Sequence, residues 1–198
     1  MDRIDAYCER LGPGFWAEPV NALTNAAFLL VAALAWRRWP DEPLCRALSA
    51  MLGAIGLGSF LFHTFATPWA AAADTLPILG YILLYVFAAH RRIWGQGVWA
   101  SLLFAGLTIP WLAVLTPVFG SLPFFAASSF YWPVPTLILL HAWLLRRRSP
   151  ATARGFATGV AILAVSLTFR SLDEAVCTPS RSARISCGTS STRSCWVG

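Results

Sequence analysis

Six apolar stretches follow one another along the chain, near Ala22 to Trp36, Leu48 to Phe65, Thr75 to Ala89, Val98 to Leu115, Phe124 to Leu145 and Gly155 to Phe169. Apolar runs on this scale predict helices that cross a bilayer, which takes about 20 residues per crossing once the helix ends are included. The polar breaks between them are short. Six such helices use nearly all of the 198 residues and leave no room for a separate soluble domain. The expected fold class is all-α, a polytopic integral membrane helix bundle with six transmembrane helices and no internal repeat or linker.

Composition sharpens this picture. Hydrophobic residues make up 57% of the chain and charged residues 12%, against about a quarter charged in ordinary soluble domains. The formal net charge of +6 raises the question of nucleic acid, but all fifteen basic residues are arginines in short clusters between apolar runs. Arg37, Arg38 and Arg46 follow the first run, Arg91 and Arg92 the third, and Arg146, Arg147, Arg148 and Arg154 the fifth, while the breaks after the second and fourth hold none. Membrane topology accounts for that alternation, and nucleic acid does not. By the positive-inside rule the odd breaks face the cytoplasm, so the N-terminus and the even breaks lie on the other face, in a bacterium outside the inner membrane. The leader, with Asp2, Asp5, Glu9 and Glu18, is too acidic for the start of a signal peptide, so the first helix is expected to be retained. The five cysteines are widely spaced with no CxxC pair, indicate neither a zinc ribbon nor a disulfide scaffold, and fix no compartment.

Few polar groups remain inside the apolar runs, and a charged one costs roughly 3 kcal/mol at mid-membrane, so each needs a reason. Ser59 and His63 are four residues apart and share one face of the second helix near its outer end. Asp74 opens the third helix after a short uncharged turn, so the three are expected to converge at the outer interface. His63 offers a neutral imidazole to a metal, Asp74 a carboxylate that orients a ligand or acts as general base, and Ser59 a hydrogen bond to an oxyanion or carbonyl. The plainer alternatives are a histidine bonded to a neighbouring helix, an aspartate capping the third helix and a small serine that lets helices approach. His90 and His141 stand beside arginine clusters, where an interfacial role is the simpler expectation. A second group, Asp5, Glu9 and Glu18 with Asn21 and Asn25, is either a solvated acidic leader with capping asparagines or a calcium site built from flexible oxygen donors.

Three stretches, DAYCERLGPGFWAEPVNALTN from Asp5, GLGSFLFHTFATPWAAAADTLP from Gly56 and FRSLDEAVC from Phe169, resemble the alkaline ceramidase family of seven-helix membrane amidases, particularly its bacterial members. The resemblance implies a zinc-dependent hydrolase that cleaves ceramide to a sphingoid base and a fatty acid. It makes His63 the first zinc ligand, Ser59 the catalytic serine and Asp74 the aspartate that takes a proton from the attacking water. It also makes the N-terminal acidic group a calcium site, with Glu9 and Glu18 better matches than Asp5, and the partner a membrane lipid. Nothing in the sequence selects ceramide over another lipid amide or ester. A non-enzymatic receptor or transporter is the remaining class, although polar residues gathered at one interface are unlike a transporter's mid-membrane site.

The sequence departs from that family where its other two zinc-binding histidines belong, as an HxxxH pair opening a seventh helix, since no histidine follows His141. Residues 1–177 form the expected ceramidase-like domain, one helix short. Residues 178–198 hold six Ser, three Thr, three Arg and no Leu, a composition that permits disorder. The genetic code allows a sharper explanation. Re-reading each codon one base early turns the Arg184–Ile185 and Gly188–Thr189 junctions into His codons and the Cys187–Gly188 junction into a Trp codon, if the third bases are suitable. A one-base loss near the Cys177 codon would then have replaced the seventh helix, and impaired the enzyme. Resequencing the final 25 codons decides it.

Overall fold

The computed structural model describes residues 4, 6–10 and 12–188, with the backbone alone for 174–188. Eight helices and no strand occur among the described residues: α1 (Pro19–Thr24), α2 (Ala26–Arg38), α3 (Pro43–Phe65), α4 (Pro68–Arg92), α5 (Val98–Gly120), α6 (Pro123–Ala126), α7 (Pro133–Leu145) and α8 (Pro150–Gly188). Six of them open on proline. At a first helical position the missing N–H has no intrahelical partner to lose and the ring presets φ.

Among the described residues, five helical stretches are long and apolar enough to cross a membrane: Pro19–Arg38, Pro43–Phe65, Pro68–Arg92, Val98–Gly120 and Pro150–Asp173. Their outward faces carry exposed Leu30 and Leu34 on α2, Leu103 and Ile109 on α5, and Ile162 and Val165 on α8. Such faces suit lipid rather than water, so the chain is an all-helical integral membrane protein.

The fifth expected helix, Phe124 to Leu145, is corrected to two pieces. The four-residue α6 is followed by turns through Trp132, and the 13-residue α7 starts at Pro133. Pro133 and Pro135 have no N–H to continue a helical ladder, so an apolar run that hydropathy treats as uniform is broken by its prolines. The sixth runs further than its apolar stretch, and the tail assigned to 178–198 begins within α8. The rest of that tail, 189–198, lies outside the described residues.

The chain divides into two compact units within α5, one through Trp111 and one from Leu112. In the first, α3 packs against α1, α2 and α4. Gly56 lies where α2 comes close, since a Cβ there would be 2.9 Å from Phe28 Cβ and 3.2 Å from the Asn25 carbonyl oxygen. Gly58 does the same for α4, its would-be Cβ falling 2.0 Å from the Ala73 carbonyl oxygen. That carbonyl is the one Pro77, inside α4, cannot bond, because Pro77 lacks the N–H that would reach back four residues. Between α3 and α4 the chain turns at Ala66, buried and in the left-handed region with φ 47°, whose carbonyl accepts the Ile4 N–H at 2.7 Å. In the second unit, α7 and α6 pack on α8.

Candidate functional site

The Gly58 contact positions the chemistry. It draws the first turns of α4 against the last turns of α3, which sets Asp74 beside Ser59. The Ser59 side chain and His63 both lie near enough to the Asp74 carboxylate to act on its charge. Among the described residues, Asp74 Oδ1 is buried with no hydrogen-bond partner. Ser59, His63 and Asp74 thus come together at one end of two adjoining helices, as the spacing predicted.

The N-terminal leader folds over this end. His63 is buried, with Nδ1 2.5 Å from Glu18 Oε2. Arg10 donates from Nε to Glu18 Oε1 at 2.5 Å and from Nη2 to the His63 carbonyl oxygen at 2.9 Å. Tyr7 packs edge-on against the imidazole, 4.7 Å between ring centres. Phe15 meets Phe60 and Phe65 in the same way, so aromatic contacts as well as charge hold the leader on α3.

The two glutamates of the acidic leader are directed to different tasks. Glu9 accepts the backbone N–H groups of Val20 at 2.7 Å and Asn21 at 3.0 Å, capping α1 where unpaired donors and the helix dipole favour a negative charge. Glu18 turns inward to Arg10 and His63. Asp5 lies outside the described residues. Asn25 does not cap through its side chain, and its Nδ2 donates to the Asn21 carbonyl oxygen at 2.8 Å. The plain solvated leader is therefore corrected for Glu18, which is 2% exposed.

His90 and His141 are both buried. His90 Nδ1 is 2.9 Å from Gln96 Oε1 and its ring stacks on Phe104, 4.1 Å between centres. His141 Nδ1 is 2.9 Å from the Leu137 carbonyl oxygen on its own helix. Cys8 is disulfide-bonded and Cys45 is free. The sequence indicated no disulfide scaffold, and spacing along the chain could not have shown the pairing at Cys8.

Two contributors escaped the sequence reading. Gly58 sat inside the quoted GLGS stretch, and its signal was a small residue one position before Ser59 in a helix that must approach another. Arg10 had no signal beyond being one of two arginines in an acidic leader.

The fold is that of a polytopic helical membrane protein, with serine, histidine and aspartate near one another at one end of adjacent spans. The family model described as Ceramidase matches residues 7–193, nearly the whole chain, and the chain belongs to that family. It is a ceramidase-like hydrolase, whose substrates are lipids in the bilayer. No curated protein and no solved structure matches the sequence.

The zinc that the family resemblance implies can be tested against these donors. The orphaned Asp74 oxygen beside His63 is a fitting place for a cation. A catalytic zinc normally takes three protein ligands, and among the described residues no three His, Cys, Asp or Glu side chains come together as a metal-binding group. The sequence offers only two other histidines, both bonded as described above. The donors among the described residues fall short of a catalytic zinc centre.

Proposed function

We propose that this protein is a membrane-embedded lipid amide hydrolase of the ceramidase type, acting on ceramide or a close relative, whose hydrolysis is impaired by an incomplete metal centre. The observation that carries this reading is the meeting of Ser59, His63 and Asp74, with an unbonded Asp74 oxygen. That oxygen is a ready acceptor for the proton of an attacking water. Ser59, beside the carboxylate, is placed to turn its one hydroxyl proton to the carbonyl oxygen of a lipid amide as negative charge develops there. The exposed apolar faces of the spans accommodate the acyl chain. The short ligand set supports low activity rather than a different chemistry.

The same reading places the N-terminus and the site on the non-cytoplasmic face, in a bacterium outside the inner membrane. Two observations support it. Arg37, Arg38, Arg46, Arg91 and Arg92 gather at the end of α2, the start of α3 and the end of α4, opposite the site. Disulfides form in oxidising compartments, and Cys8 is in one.

The experiment is to purify the 198-residue chain in lipid nanodiscs, measure bound zinc by mass spectrometry and follow fatty acid release from a panel of ceramides and other lipid amides. We expect zinc well below one per chain and slow release confined to lipid amides. Stoichiometric zinc would overturn the incomplete centre; release from esters alone would overturn the amidase reading.

A further inference from the structure

Glu18 precedes Pro19 at the start of α1 and is almost wholly enclosed, yet its carboxylate neither caps that helix nor reaches solvent. One oxygen accepts a hydrogen bond from Arg10 Nε–H and the other faces His63 Nδ1, both at 2.5 Å. A neutral imidazole has one N–H and one lone pair, and an ionised carboxylate can only accept. Glu18 therefore selects the tautomer with the proton on Nδ1 and leaves the lone pair on Nε2 as the open nitrogen of His63.

A lone buried carboxylate would be expensive, and Arg10 offsets it at hydrogen-bonding distance with a side chain that is itself 4% exposed. Arg10 also grips the His63 carbonyl oxygen, so the pair fixes the backbone as well as the ring. Tyr7 against the imidazole limits rotation of the ring.

We infer that Glu18, with Arg10 as its counter-charge, is a positioning residue that sets the tautomer and direction of His63, and that the N-terminal leader is a working part of the site rather than a tether. This deepens the proposed function, and it rests on that reading only for the use made of Nε2. It also gives Glu18 a task other than holding calcium. A cation on its oxygens would have to displace the Arg10 guanidinium, and like charges at that distance repel.

The test is nitrogen-15 NMR of ring-labelled histidine in the full chain in nanodiscs, in mildly alkaline buffer, with His63 assigned by the signal lost in His63→Gln. The wild type is expected to show His63 as the Nδ1-protonated tautomer alone, unchanged by added calcium. Glu18→Ala is expected to move it to a mixture or to the Nε2-protonated form, while Ser59→Ala leaves it in place. A wild-type ring protonated on Nε2 or on both nitrogens would overturn the inference even if Glu18→Ala fails to fold. So would an unchanged tautomer in Glu18→Ala, or a calcium-dependent shift in the wild type. Hydrolysis is not read in any of these spectra, so failure of the amidase reading and failure of this inference are separate results.

Discussion

Asp74 lies beside Ser59 and has a buried oxygen that no group among the described residues bonds. A buried acceptor without a donor costs about 1–3 kcal/mol, so the residue is unfavourable for folding where it is useful for chemistry. Asp74→Asn removes the charge and keeps the shape. It is expected to raise thermal stability by about 1 kcal/mol while abolishing whatever lipid amide hydrolysis the chain has, a trade common at functional sites. Thermal unfolding in detergent, run beside the release assay, checks both halves; a variant that is less stable and fully active contradicts the role. Ser59, His63 and Asp74 were legible in the sequence because a helix repeats every 3.6 residues and the turn between α3 and α4 is short. The partner of His63 was not. Glu18 lies 45 residues away in sequence, and a glutamate in an acidic leader carries no mark of whether it faces water, a cation or a buried ring.

The pairing of α3 with α4 depends on a matched defect in each helix. Gly58 has no Cβ and Pro77 has no N–H, so the Ala73 carbonyl released by one is covered by the other. Gly58→Ala would place a methyl group 2.0 Å from that oxygen. The helices must then part, at an overpacking cost of about 1–3 kcal/mol, and Asp74 must leave Ser59. We expect lower thermal stability and lost hydrolysis. Gly106 in α5 has nothing within 4 Å of its would-be Cβ, and Gly106→Ala is expected to be neutral or stabilising by up to about 1 kcal/mol. Equal effects of the two substitutions on thermal unfolding would contradict the close approach as the cause. At this scale most spans could be found from apolar runs, and the boundaries could not. The proline-opened starts of α3 and α4 lie several residues before the apolar windows, because hydropathy averages over positions that backbone chemistry treats as distinct. The break before Pro133 was missed for the same reason.

Across the first unit as a whole, polar chemistry is divided between two ends about 35 Å apart, the length of the 23-residue α3 at 1.5 Å per residue. One end carries the leader and the Ser59, His63 and Asp74 cluster. The other carries the arginines, where Arg46 lies over the Trp36 ring at 4.4 Å and Arg92 pairs with Glu42. Arginine and tryptophan side by side suit the headgroup layer, and the orientation proposed above turns that end to the cytoplasm. The disulfide at Cys8 points the leader to an oxidising face by an unrelated route. Both arguments meet in one measurement on intact cells with a membrane-impermeant maleimide. Gly14 is exposed with open space around it and Arg37 is exposed at the end of α2. A Gly14→Cys chain is expected to label above the parent chain without permeabilisation, and an Arg37→Cys chain only after it. The reverse pattern would put the leader and the site in the cytoplasm, where a reducing milieu disfavours the Cys8 disulfide. Charge bias and disulfide would then both have pointed the wrong way.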